Sequence, residues 1–209
     1  MREARIGEVV AAVARQALAD WGVRRIALLD DASPEAALAG RFLERLGPEV
    51  LVRVPTSGPG VEPLLHALGR LPEEARVGRE VAGLRARLEP DALPAAPDNK
   101  TALLLDGALP PEPFLPLGDL WASEVAELAG GWSAPAGVRA LAEAAGGIDR
   151  LDAALRARVD RRDPTGLDGL PGGVAEEVRR RFALGRASRL AVRLVPKVGS
   201  RTLGLDLFE

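Results

Sequence analysis

Residues 25–54 read RIALLDDASPEAALAGRFLERLGPEVLVRV, and this stretch decides the fold class. Arg25 to Leu29 is a short apolar run without alternation, the pattern of a parallel strand buried on both faces. Ser33-Pro34 follows as N-cap and first helical residue: Ser supplies an acceptor for an orphan helical N–H, and Pro has no N–H to leave unpaired. Ala37, Leu38, Phe42 and Leu46 then fall on one helical face, and Val50 to Val54 is a second apolar run. Strand, helix and strand in that order predict a parallel, doubly wound α/β sheet. Its ligand crevice is expected beyond the carboxyl ends of the strands.

Outward from this unit the chain stays α/β. Residues 3–21 predict a helix, with Ile6, Val10, Val13, Ala17 and Trp21 at helical spacing and Gly22 as its stop. Pro55 to Gly60 reads as a loop, and 61–70 and 73–88 as two further helices. Residues 92–97, Ala-Leu-Pro-Ala-Ala-Pro, hold two prolines, so a strand there suits an edge at best. Later segments are helical, over about 118–130, 136–145, 148–159 and 172–184. The glycine-rich stretch 166–173, GLDGLPGG, reads as a helix–helix loop because no strand precedes it, as a phosphate cradle would require. One domain over 1–209, with a tail over about 186–209, is expected.

Composition narrows the function classes. The chain has 209 residues, 47% hydrophobic and 28% charged, an ordinary globular balance. With 23 glycines and 17 prolines it stays below the roughly 25–30% of low-complexity chains. A formal charge of −2 argues against a nucleic-acid surface, which needs a basic excess. No apolar run approaches the ~20 residues of a membrane span, and no signal-peptide core is present, so a cytoplasmic location is expected. Without cysteine there is no disulfide, thiolate metal site or thiol nucleophile. The single histidine, His66, has no second His or Cys to share a metal, and no GxSxG elbow accompanies the serines.

A second stretch, residues 99–129, reads NKTALLLDGALPPEPFLPLGDLWASEVAELA. Its Asn-Lys-Thr and its Pro-Leu-Gly-Asp-Leu, followed by Val125 and Leu128-Ala129, resemble a block of the NAD synthetases, amidating enzymes of the ATP-pyrophosphatase group. Leu151-Asp152-Ala153-Ala154-Leu155 resembles a helix of that family, and Pro196 to Asp206 the tail of some members. The resemblance implies an abbreviated doubly wound parallel sheet flanked by helices, Rossmann-like and of the adenine nucleotide alpha-hydrolase type. It also implies a phosphate-binding SGGxDS loop after the first strand. That loop aligns with Asp30, Asp31, Ala32, Ser33, Pro34 and Glu35, and no position of it is kept.

The family's chemistry adenylylates a nicotinate carboxylate with ATP and lets ammonia displace AMP. Such a site needs backbone N–H groups around phosphates, a divalent cation and cationic side chains on developing charge. Here Asp31 and Ala32 replace the two glycines that let backbone approach phosphate. Carboxylates at phosphate-contact range repel it by about a kcal/mol or more each at a surface-like dielectric. Pro34 stands where a magnesium-holding aspartate belongs, and Ala102 where a second metal carboxylate belongs. Asn99, Lys100 and Thr101 remain as a vestigial nucleotide contact.

Other readings of the same residues are simpler. Asp30 and Asp31 read as a solvated loop, Glu35 as an acid complementing a helix N-terminus, and Lys100 as an exposed helix residue. Trp121 and Trp132 read as core or dimer residues. No catalytic residue, metal site or cofactor is expected. The expected protein is a non-catalytic NAD synthetase homologue, a homodimeric binding or regulatory protein, with an active synthetase or another protein as a possible partner. The alternatives are an active ammonia-dependent enzyme using ATP and magnesium with atypical residues, and a crevice turned to a less anionic ligand.

Overall fold

The computed structural model describes residues 2–57, 82–87, 89–106, 112–184 and 194–198. The chain opens with α1 (Arg2–Trp21), then β1 (Arg25–Asp30), α2 (Pro34–Leu43) with a 3-10 turn over Glu44–Leu46, and β2 (Leu51–Pro55). After a helical stretch over 82–87 come β3 (Ala92–Ala95), α3 (Lys100–Leu105), α4 (Ala122–Ala129), α5 (Ala136–Ala145), α6 (Ile148–Val159) and α7 (Gly172–Leu184). The helices expected over 61–70 and the first part of 73–88, the loop end Gly58–Gly60, His66 and most of the C-terminal tail lie outside the described residues.

The three strands form one parallel sheet in the order β2-β1-β3. In register, Ile26 faces Leu51 on one side and Leu93 on the other. β1 is central, and its Ile26, Ala27, Leu28 and Leu29 are all buried, which is why it carries no polar alternation. Ile26 and Leu28 join Leu93 and Ala95 under α1 and α2, where Val10, Ala14, Leu38 and Phe42 close the core. Ala27 and Leu29 point to the opposite face, against Val54, Ala82, Ala86, Ala96 and Leu103. A third cluster, away from the sheet, gathers Leu104, Trp121, Leu141, Leu151, Leu155 and Val178 from α3, α5, α6, α7 and the residue before α4.

β3 is an edge strand of this three-stranded sheet, as its prolines led one to expect. It pairs with β1, and beyond it single parallel bridges join Ala95 to Phe114 and Phe114 to Leu194. The carbonyl of Pro94 accepts the Phe114 N–H at 3.4 Å, so the N–H that Pro94 lacks belonged to that outer side. Proline thus leaves the β1–β3 ladder intact and cuts the next one to a bridge.

Helix starts follow the local chemistry. The Ser33 hydroxyl accepts the Ala36 N–H at 3.0 Å with Pro34 in the first turn, as the sequence predicts. α4 begins at Ala122, four residues later than expected, because Leu117–Leu120 form a turn that frees Asp119 for other work. Glu124 Oε2 accepts the Trp121 N–H at 2.9 Å at that helix start. Residues 166–171 are indeed a turn between α6 and α7, while Gly172 and Gly173 open α7.

Candidate functional site

The crevice at the carboxyl end of the sheet is bounded by two helix starts. α2 follows β1 and α3 follows β3, so residues 30–35 and 96–101 meet there, as the doubly wound topology requires. In the loop after β1, every side chain that can accept a hydrogen bond turns back onto the loop or its neighbours. Asp30 Oδ1 accepts the Ala32 N–H at 3.2 Å, Asp31 Oδ1 the Ser33 N–H at 3.1 Å, and Ser33 Oγ the Ala36 N–H. Glu35 draws its own N–H to its carboxylate, and Pro34 has none. Asp30 Oδ2 also receives Arg53 Nη1 at 3.2 Å from β2. Donors that would surround a phosphate are therefore spent on the protein's own oxygens.

Ala32 holds this turn with φ of +58°, in the left-handed region that favours glycine. Asp31 and Ala32 are exposed, in keeping with a solvated loop.

Glu35 is a different matter. It sits in the first turn of α2, yet it is buried, with 4% exposure, and it does more than complement the helix N-terminus. Its Oε1 accepts Asn99 Nδ2 at 3.1 Å and the Ser133 N–H at 3.0 Å, while Oε2 accepts the Ser133 hydroxyl at 2.7 Å. Burial lifts its pKa above the ordinary carboxyl value, and the Ser133 hydrogen bonds only partly offset this. Sequence reasoning missed Ser133. No local signal marks it, since the contact joins residues 98 apart.

Asn99, Lys100 and Thr101 are brought to the crevice floor and then turned inward. Asn99 caps α3 through Oδ1, which accepts the Ala102 N–H at 3.0 Å. Lys100 is not an exposed helix residue: it is 1% exposed, with Nζ at 2.9 Å from Asp160 Oδ1, 3.5 Å from Asp119 Oδ1 and 4.7 Å from the Trp121 ring centre. Asp119 also accepts the Val198 N–H at 2.9 Å, so the ion cluster lies beneath the C-terminal segment. Thr101 donates to Asp152 Oδ1 at 2.7 Å and accepts the Ala122 N–H at 2.9 Å. Burial raises the pKa of Asp152, opposed by Thr101 and Ser123 hydrogen bonds. Trp121 is core, 2% exposed, and Trp132 packs against the same cluster.

A structural comparison places this arrangement. An NH3-dependent NAD synthetase from Campylobacter jejuni, solved in complex with nitrate, superposes with a TM-score of 0.62 at 17% identity, over 89% of this chain and 96% of that one. The fold is that of an ammonia-dependent NAD synthetase. No protein-family model matches the chain, and no curated protein matches it by sequence. The expected abbreviated parallel sheet flanked by helices is thus found, with three strands, in an NAD synthetase-like fold.

The residues present do not fit a magnesium-nucleotide held as the resemblance would have it. The loop's N–H groups face Asp30, Asp31, Ser33 and Glu35, and the positions for the two metal carboxylates hold Pro34 and Ala102. Among the described residues no group of three or more Asp, Glu or His is arranged to hold a metal. No helix of the described residues is long and apolar enough to cross a membrane.

Proposed function

We propose that this chain is an NAD synthetase homologue without ATP binding or catalysis, acting as a homodimeric binding or regulatory protein. The observation that carries this reading is the self-capped turn after β1. Asp30, Asp31 and Ser33 accept the N–H groups that a phosphate would need, and Glu35 takes its own. To seat a triphosphate, the protein must break these bonds and bring phosphate oxygens against three carboxylates. Each such contact is repulsive by about a kcal/mol or more at a surface-like dielectric.

Lys100 and Thr101 support the same reading from the opposite wall. Both side chains are committed to buried partners, Lys100 to Asp119 and Asp160, Thr101 to Asp152. Their retention is explained by packing. Such a protein needs no cofactor, and its ligand would be a second copy of itself, an active synthetase or another protein. Calorimetry with magnesium-ATP, together with an ammonia-dependent NAD assay, tests the proposal. No heat of binding and no NAD are expected; micromolar affinity or repeated turnover would establish the active-enzyme reading instead.

A further inference from the structure

Residues 130–135, Gly-Gly-Trp-Ser-Ala-Pro, connect α4 to α5 and pass across the front of the crevice. A Cβ built on Gly131 would lie 3.6 Å from Pro34 Cγ, so the segment rests on the very start of α2. Two residues on, Ser133 gives both its N–H and its hydroxyl to Glu35. The same carboxylate holds Asn99 at the start of α3. One side chain therefore fastens three elements across the carboxyl end of the sheet.

We infer that residues 130–135 are a strap over the crevice, fastened by Glu35, and that the charge on Glu35 controls how firmly it closes. This holds whatever the chain's catalytic status.

The chemistry of the fastening sets the direction. In the protonated form Oε2 donates to Ser133 Oγ, which turns to accept, while Oε1 keeps Asn99 Nδ2 and the Ser133 N–H. All polar atoms are then satisfied without a buried charge. In the ionised form the same donors remain, but among the described residues the buried carboxylate has no cation beside it. Asp31, in its own loop, adds a like charge. Lys100, on α3, is turned to Asp119 and Asp160, and Asp98 beside Asn99 is another acid. On α2, Arg41 is engaged by Glu3 and the Leu128 carbonyl, and Asp30 is paired with Arg53. Residues 130–135 carry no titratable side chain. The closed strap thus binds the Glu35 proton more tightly than an open one does, in line with the raised pKa. Raising the pH through the carboxyl range and beyond favours release.

Amide hydrogen exchange on the full chain tests this, with rates corrected for the intrinsic effect of pH and read at residues 130–134. In the wild type, protection should fall several-fold between pH 4 and pH 8. Glu35→Gln has the shape of the protonated acid, carries no charge and can likewise donate on one side and accept on the other, so its strap should stay protected at both values. Ser133→Ala, which keeps the backbone donor but removes the hydroxyl, should loosen the strap at both. A wild-type strap with flat protection across this range would overturn the proposal. So would a Glu35→Gln strap that loosens with pH as the wild type does, or a Ser133→Ala strap as well protected as the wild type.

Discussion

Thr101 and Asp152 are joined by a 2.7 Å hydrogen bond in which the hydroxyl donates, and the same hydroxyl accepts the N–H of Ala122 at 2.9 Å. The other Asp152 oxygen accepts the Ser123 N–H at 2.7 Å. Two side chains thereby fix the start of α4 against α3 and α6. Thr101→Val preserves shape and removes both bonds, stranding a buried carboxylate oxygen and a buried N–H. The expected loss is about 1–3 kcal/mol for each group stranded. Urea unfolding measures it, and an unchanged midpoint would show that the hydroxyl has no structural duty.

Lys100→Met should be costlier. It leaves Asp119 at 0% side-chain exposure and Asp160 at 13% without their shared cation. Breaking such a pair from one side costs about 3–5 kcal/mol, because the remaining charges stay buried without that cation. Denaturant titration should show it, with circular dichroism confirming that the variant folds. A loss well under 1 kcal/mol would mean that water reaches these aspartates.

Ala32→Gly should stabilise the protein by about 1 kcal/mol, since an alanine in the left-handed region carries steric strain that outweighs glycine's extra freedom in the unfolded chain. Thermal unfolding reads the gain. The variant should still ignore ATP, because its N–H groups remain covered by Asp30, Asp31 and Ser33.

Carboxyl titration followed by NMR should separate three acids. Burial places Glu35 above 4.5 and Asp152 above 3.8, whereas Arg180 and Arg181 hold Glu177 down to about 2. The signs for stability are opposite. Glu35 and Asp152 bind protons more tightly when folded, so their contribution is full below the unfolded value and is lost as pH rises through the folded one. Glu177 contributes above 4.5 and loses its contribution as pH falls toward about 2. Ordinary values at Glu35 and Asp152 would refute the account of their burial.

Light scattering at micromolar concentration should give twice the 22.0 kDa chain mass. Trp21, Leu84 and Leu184 are exposed large apolar side chains among the described residues, and a two-fold contact is the commonest way to cover such faces. A mass of one chain that does not change on concentration would show a monomer.

What the sequence made legible was local. The apolar run of β1, the Ser33 cap and Pro34 lie within a dozen residues of one another, and each names its element by its own chemistry. The prolines of β3 marked an edge strand correctly, but the bridge that Phe114 makes on its outer side had no local signal. Glu35 and Lys100 misled because their setting is not local. A charged residue near a helix start is ordinarily solvated, and only the arrival of Ser133, Asp119 and Asp160 from distant segments makes burial affordable. The crevice could be located from topology alone, but its being filled with internal contacts could not.

The bridges from Ala95 to Phe114 and from Phe114 to Leu194 bear on how the molecule assembles. β1, α2 and β2 are contiguous, so this unit can form as soon as it leaves the ribosome. The outer positions of the sheet must wait for all the intervening helices, since Leu194 reaches Phe114 only after α4 to α7 have been made. Long-range closure of this kind is slow, and it leaves a strand edge bare during synthesis. A chain stalled before Leu194 would expose the Phe114 edge, the natural place for a chaperone to take hold.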